Sequence, residues 1–239
     1  MTIANLNIDW GSKQKSKSHI HKIEEALDAL DFNILILTES VDLELPAYNF
    51  VYKTKALPQD QEYEDLHYAE YLNGASANRV SIYSKYQSSR SFKVSDDYTS
   101  ICRQFETEIG IITIYATIIG TWFKKKKYAE KELFNCITDC LRISNKTNTL
   151  CLAGDLNTSF SSTEKHMQIN DETTKLLKDL CNSCKLDLTT AKLENNIDHI
   201  FISKRLTRGL IVEPAVFVQK GELSDHQGIY LDIQKKYIS

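Results

Sequence analysis

An α+β sandwich, with sheets packed face to face and helices over their outer faces, is the fold class that this sequence predicts. Three observations carry it. Short β-branched and aromatic runs recur from one end to the other, a few segments of helical period lie between them, and no repeat or linker divides the chain. With only 3 Pro and 8 Gly, one domain over residues 1–239 is expected.

Residues 2–9 read as a strand. His19, Ile20, Ile23, Ala26, Leu27 and Leu30 then recur at helical spacing, and Ile34 to Leu37 reads as a buried strand, a βαβ-like opening. Strands are expected at Tyr48–Lys53, Arg79–Ser84, Ser100–Glu106 and Ile109–Ile118, with Glu108-Ile109-Gly110 as a hairpin turn. A helix over 128–143 and a short buried strand at Leu150–Ala153 come next. Asp171–Cys184 reads as a helix with Leu176, Leu177, Leu180 and Cys184 inward, and strands near 197–202, 210–218 and 228–233 close the chain. Residues 54–77 show little periodicity and read as a long functional loop or a locally disordered one.

An apolar fraction of 42% with 26% charged residues supports a sizeable core and excludes a disordered chain. No apolar run nears the ~18 residues that cross a bilayer, and the start lacks a signal-like pattern, so a cytoplasmic location is expected. The six cysteines then read as buried thiols, with Cys181 and Cys184 packing on a helix. A net charge of −3 excludes a uniformly basic, nucleic-acid-coating surface. It leaves room for local patches at Lys13, Lys15, Lys17 and Lys22, and at Lys124, Lys125, Lys126 and Lys127.

Four stretches carry chemistry: Asn7-Ile8-Asp9, Glu39 after Ile34-Leu-Ile-Leu-Thr38, Gly154-Asp155-Leu156-Asn157, and Ser224-Asp225-His226. Residues two apart share a strand face, which pairs Asn7 with Asp9 and Asp155 with Asn157. Carboxylate and amide oxygens suit Mg²⁺, Mn²⁺ or Ca²⁺, whereas Zn²⁺ prefers nitrogen or sulfur. Each element taken singly also fits a strand-end cap or a turn. Their joint occurrence, each after or closing a hydrophobic run, points to a hard-cation site with a base, suited to phosphate-ester hydrolysis.

This set, in this order, resembles the endonuclease/exonuclease/phosphatase superfamily, also called DNase I-like, from Asn7 to His226. The resemblance implies a four-layer α/β/β/α sandwich of two mainly antiparallel β-sheets flanked by helices. It implies phosphate contacts from Asn7, Asn157 and His226, and metal binding by Glu39 with Asp9 or Asp225. Asp155 would orient or activate the nucleophile, and Asp198, in Ile197-Asp198-His199-Ile200, would hydrogen-bond His226. Tyr115 stands roughly where some members carry a second His, either as a catalytic tyrosine or as a core one. Arg79 is expected at the active rim, in contact with nucleic acid or as a solvated strand end.

The implied activity is Mg²⁺-dependent phosphodiester hydrolysis of DNA or RNA by in-line water attack, with Mn²⁺ as a possible substitute. Whether His226 or Asp155 activates the water stays open. Inositol phosphates or another small phosphoester are the alternative substrates, and an inactive binding module is a third reading. The Glu, Asp and His positions are all present, which weighs against the third.

Overall fold

The computed structural model describes residues 1–9, 17–56, 78–120 and 126–236, with the backbone alone for Lys17, Lys126 and Lys127. Most of the predicted 54–77 loop, and Lys13, Lys15, Lys124 and Lys125, lie outside the described residues.

The strands form two six-stranded sheets. The first contains β1 (Thr2–Asn7), β2 (Ile34–Ser40), β3 (Phe50–Lys53), β4 (Asn78–Ser84), β11 (Leu210–Val218) and β12 (Gly228–Lys235), in the order β11-β12-β1-β2-β4-β3. The second contains β5 (Ser88–Phe92), β6 (Ser100–Thr107), β7 (Gly110–Ile118), β8 (Leu150–Asp155), β9 (Leu186–Asp187) and β10 (Asp198–Ser203), in the order β5-β6-β7-β8-β10-β9. Each sheet is antiparallel except for one parallel pair, β1 with β2 and β7 with β8. A parallel neighbour needs a crossover, and helices supply it: α1 (Lys17–Ala29) in the first case, α2 (Lys126–Ser144) in the second.

Alternation along the strands builds the layers. Ile3, Ile34, Ile36, Ile114, Ala116, Cys151, Ala153, Ile200 and Leu231 point between the sheets into one shared interior. Their neighbours point outward: Ala4, Leu6, Leu35 and Leu37 pack with Ile23 and Leu27 of α1. On the other side Leu150, Leu152, Tyr115 and Phe201 pack with Cys136 and Cys140 of α2 and with Leu177 and Leu180 of α3 (Asp171–Ser183). The result is the expected four-layer α/β/β/α sandwich of two mainly antiparallel sheets.

The hairpin turn falls where expected, with Thr107 paired to Gly110 and Gly110 at φ 108°. Leu176 is 38% exposed rather than inward, because the buried stripe of α3 runs Thr173, Thr174, Leu177, Leu180 and Cys181. Asn170 caps that helix, accepting from the Thr173 N–H at 2.7 Å. β5 and β9 went unpredicted: Ser88-Ser-Arg-Ser-Phe92 is polar and β9 is two residues long, features tolerated at sheet edges. All six cysteines are buried and unpaired. Among the described residues, no helix is long and apolar enough to cross a membrane.

Candidate active site

Because β1, β2 and β8 end at the same rim where β4, β10 and β12 begin, the tips of both sheets bring their polar residues together. β1 shows how. Its inward face reads Ile3, Asn5, Asn7, so the last two positions carry amides instead of apolar groups, and both are fully buried. The Asn7 amide donates to Asp155 Oδ2 at 2.9 Å, and the Asn5 amide donates to Asp198 Oδ1 at 2.8 Å. Asp155 and Asp198 are themselves register partners on β8 and β10. One strand of the first sheet thus clamps two carboxylates of the second.

The strand ends are turned by local hydrogen bonds. Asp9 N–H donates to Asn7 Oδ1 at 2.7 Å, and Asn157 N–H donates to Asp155 Oδ1 at 2.8 Å, so the same Asx turn closes β1 and β8. This corrects the sequence reading, in which Asp9 and Asn157 continued their strands. Both residues are left-handed, at φ 48° and 49°, and so is Glu39 at φ 47°. For Asn and Asp that conformation is tolerable; for Glu39 it costs about 1 kcal/mol or more and marks a kink. The β2–β4 ladder pairs Thr38 with Val80 and Ser40 with Asn78, which turns Glu39 and Arg79 out of regular pairing.

His226 completes the cluster. Its Nδ1–H donates to Asp198 Oδ2 at 2.6 Å, while Ser224 Oγ accepts from the His226 backbone N–H at 3.2 Å and holds the loop. Burial opposes a charge on His226, but Asp198, Asp155, the hydrogen bond to Asp198 and then Asp225 outweigh it and push its pKa up to about 10. His226 is therefore a cation at neutral pH. Asp155 goes up to about 7, first through burial and then through repulsion by Asp198; His226 opposes this, Glu39 adds to it, and the Asn157 N–H opposes it. A carboxylate that titrates near neutrality, next to an imidazolium, is an acid–base pair with separated affinities.

Asp155, Asp198 and His226 each offer an atom within 4.8 Å of the others, spacing that can hold a metal ion. Hydrogen bonds among them and from Asn5, Asn7 and Asn157 already engage those atoms, and the imidazolium repels a cation. Glu39 and Asp225 are oxygen donors at the edge of the same cluster. Glu39 is felt by Asp155 and Asp225 by His226, and Asp225 Oδ1 lies 3.8 Å from His226 Nε2. Among the described residues, Glu39, Asp9 and Asp225 do not bring three ligand atoms within that spacing, although carboxylate oxygens suit a hard divalent cation better than an imidazole does.

Several solved structures share this architecture. A 3′-5′ exonuclease (NExo) from Neisseria meningitidis superposes with a TM-score of 0.64 at 14% identity, covering 98% of this chain and 100% of that one. A variant of the 3′ phosphatase NExo from Neisseria, bound to a product DNA hairpin, gives 0.66 at 13% identity, covering 98% and 99%. An endonuclease/exonuclease/phosphatase from Beutenbergia cavernae gives 0.63 at 14%, covering 98% and 71%. The chain has the DNase I-like fold. No protein-family profile and no curated protein sequence matches the chain. A DNase I-like fold serves more than one chemistry, so the site itself must carry the functional argument.

Within this DNase I-like fold, Asn7, Asp155, Asn157, Asp198 and His226 come together and three expectations change. Tyr115 points away: β7 sends Ile114 and Ala116 inward, so Tyr115 lies under α2, fully buried, donating to Asp139 at 3.3 Å. Arg79 is 1% exposed with its guanidinium 3.7 Å from Glu39, a buried neighbour of that carboxylate rather than an open nucleic-acid contact. Asn157 spends both amide hydrogens, on Ile119 O at 2.9 Å and Asp155 Oδ2 at 3.0 Å, so it positions Asp155 instead of donating to phosphate.

Sequence reading missed Asn5 and Asn196, the latter bridging the Asp198 backbone through its side chain. A signal for Asn5 existed: an amide two residues before Asn7, on the same face of an otherwise apolar strand. His199, next to Asp198, faces the helices, where burial pushes its pKa down to about 4 despite a 2.9 Å bond to Thr158 O. Tyr115→Phe is expected to cost about 1 kcal/mol of stability and to leave turnover within about threefold. A loss of ~100-fold or more in a steady-state assay would return Tyr115 to catalysis.

Proposed function

We propose that this chain is a divalent-cation-dependent phosphoesterase that hydrolyses phosphate esters of nucleic acid. The observation that carries the reading is the buried Asp155–Asp198–His226 cluster, in which a cationic imidazole and a carboxylate titrating near 7 face one rim. The names of the structural neighbours, an exonuclease and a 3′ phosphatase bound to a DNA hairpin, support a nucleic-acid substrate.

A phosphodiester anion repels its nucleophile, so its non-bridging oxygens must be neutralised while water is held in line. His226 Nε2–H donates to one such oxygen, with Asp198 fixing the ring through Nδ1 and Asn5 fixing Asp198. Asn7 keeps one amide hydrogen free after its bond to Asp155 and donates that one to the phosphate. Asp155, held by Asn7 and Asn157, takes the proton of the attacking water. Glu39, with Asp9 or Asp225, would hold Mg²⁺ or Mn²⁺. Bound there, the cation supplies charge neutralisation and a lower water pKa.

One domain carries this chemistry, and the buried, unpaired cysteines suit a reducing, cytoplasmic setting. The test is a panel of single-stranded, double-stranded, abasic and 3′-phosphorylated DNA, with RNA, assayed with Mg²⁺ or Mn²⁺. Cleavage or phosphate release that EDTA and His226→Ala each abolish is expected. A blank panel with turnover of inositol phosphates would transfer the assignment to small phosphoesters. Blank results throughout, with metal binding intact, would leave a binding module.

A further inference from the structure

Away from the catalytic cluster, a cavity of about 580 Å³ opens between the edge of the first sheet and the edge of the second. One wall is the end of β3 with Lys53 and Lys55. The other is formed by β5, β6 and the loop between them, with Lys93, Asp97, Ser100 and Arg103. Four cations face one carboxylate there, on a chain whose net charge is −3. Lys53 is paired with Asp42 at 2.5 Å and Lys55 with Asp97 at 2.9 Å. Lys93 is exposed, and neither it nor Arg103 has an ion pair among the described residues. The Arg103 guanidinium stacks 5.3 Å from the centre of the Tyr52 ring, and its Nε is buried without a hydrogen-bond partner there.

The two walls are tied together and to the active rim. Lys55 N–H donates to Asp97 O at 2.8 Å, bridging the sheets. Thr54, beside Lys55, donates its N–H to Val80 O at 3.0 Å, and Ala56 pairs with Asn78, the neighbour of Arg79. Across the groove, Ser100 Oγ is 2.8 Å from Thr117 Oγ1, and Thr117 pairs with Gly154, next to Asp155. Each wall therefore stands two strands from a catalytic carboxylate, Glu39 on one sheet and Asp155 on the other. At ~4.8 Å per strand this is roughly 10 Å. A strand advancing ~3.4 Å per nucleotide covers that in about three nucleotides.

We propose that this groove is a binding site for the phosphodiester backbone of a nucleic-acid strand flanking the bond held at Asp155 and His226. The inference rests on the nucleic-acid reading above. A polyanion suits the site for a physical reason: Lys93 and Arg103 are cations with no carboxylate to satisfy them among the described residues, so a phosphate gains contacts without breaking existing pairs. Continuity with the phosphate-cleaving rim selects a nucleic-acid backbone over an acidic peptide.

The test is equilibrium binding of a fluorescent single-stranded oligonucleotide of about twelve nucleotides to the full chain in EDTA, repeated across salt concentrations. The double variant Lys93→Gln/Arg103→Gln is expected to bind about tenfold more weakly at low salt, with a log–log salt slope shallower by about 1.4, ~0.7 per cation removed. Affinity for a dinucleotide, too short to reach the groove, should not change. The single variant Lys93→Gln alters only an exposed side chain and should shift the slope by about 0.7, which guards against misfolding caused by loss of the Arg103–Tyr52 stack.

Unchanged affinity and slope in both variants would overturn the proposal, as would poly-glutamate competing as well as an oligonucleotide of equal charge. Binding is read without turnover. A wild-type chain that binds through the groove but cleaves nothing would sink the enzymatic reading alone, whereas intact cleavage with unchanged slopes would sink the groove alone.

Discussion

Asp198→Asn is expected to lower turnover by about 10³-fold or more at neutral pH and to move the remaining activity to acid pH. Asp198 is the main source of the raised affinity of His226 for its proton. Without that charge the imidazole pKa falls, because burial still opposes its charge and only Asp155 and Asp225 remain to favour it. On the proposed mechanism, Asp155 must lose its proton near 7 in the wild type while His226 keeps its own up to about 10, so activity is expected in the window between them. In the variant the upper limit moves toward acid pH. Asp155 moves down as well, because repulsion by Asp198 helps to raise it.

The folded pKa of His226 lies above its unfolded value. Its stabilising contribution is therefore complete below ~6.5 and declines as pH rises toward about 10. Asp198→Asn should flatten that alkaline decline. The readouts are the pH profile of kcat and chemical denaturation at two pH values. A variant profile superposable on that of the wild type would remove the cationic role from His226.

Gly154→Ala is expected to destabilise the fold by about 4 kcal/mol or more, a melting loss of roughly 10 °C, and to disable the site as well. Gly154 has φ 143°, and a Cβ placed there would stand 1.8 Å from the backbone oxygen of Thr117 on the neighbouring strand. Relief requires β7 and β8 to separate at the point where Asp155 is aimed. Gly110 provides the control, since it also has positive φ, at 108°, yet a Cβ placed there would meet nothing within 4 Å. Gly110→Ala should cost only about 1–2 kcal/mol, for the backbone conformation alone. Equal losses at the two positions, measured by thermal melting, would show that the β7–β8 contact is not what demands glycine.

Much of the site was legible because strands advertise their tips. An apolar run that stops at a carboxylate or amide, as in Leu37-Thr38-Glu39 or Ala153-Gly154-Asp155, places that group at a sheet rim, and both lie at one rim here. The Asp198–His226 pairing was expected from resemblance and is present at 2.6 Å. What failed was facing. Tyr115 has the right height along β7 but the wrong side, and a strand buried on both faces offers no polar alternation to reveal it. Arg79 stands at the rim as expected, but the sequence of a strand start cannot tell a solvated cation from one enclosed beside a carboxylate.

By itself the sequence determined the layered α+β class, most strand and helix positions, and a set of oxygen and imidazole groups suited to phosphate chemistry. Periodicity and strand-end polarity are local properties that the chain carries in one dimension. Only the tertiary structure decided which amide holds which carboxylate: Asn5 with Asp198 across 193 residues and Asn7 with Asp155 across 148. It also decided the proton affinities of His226 and Asp155. Those depend on burial and on charges brought close by sheet packing, and the falloff of electrostatic interaction with distance in space has no counterpart in distance along the chain.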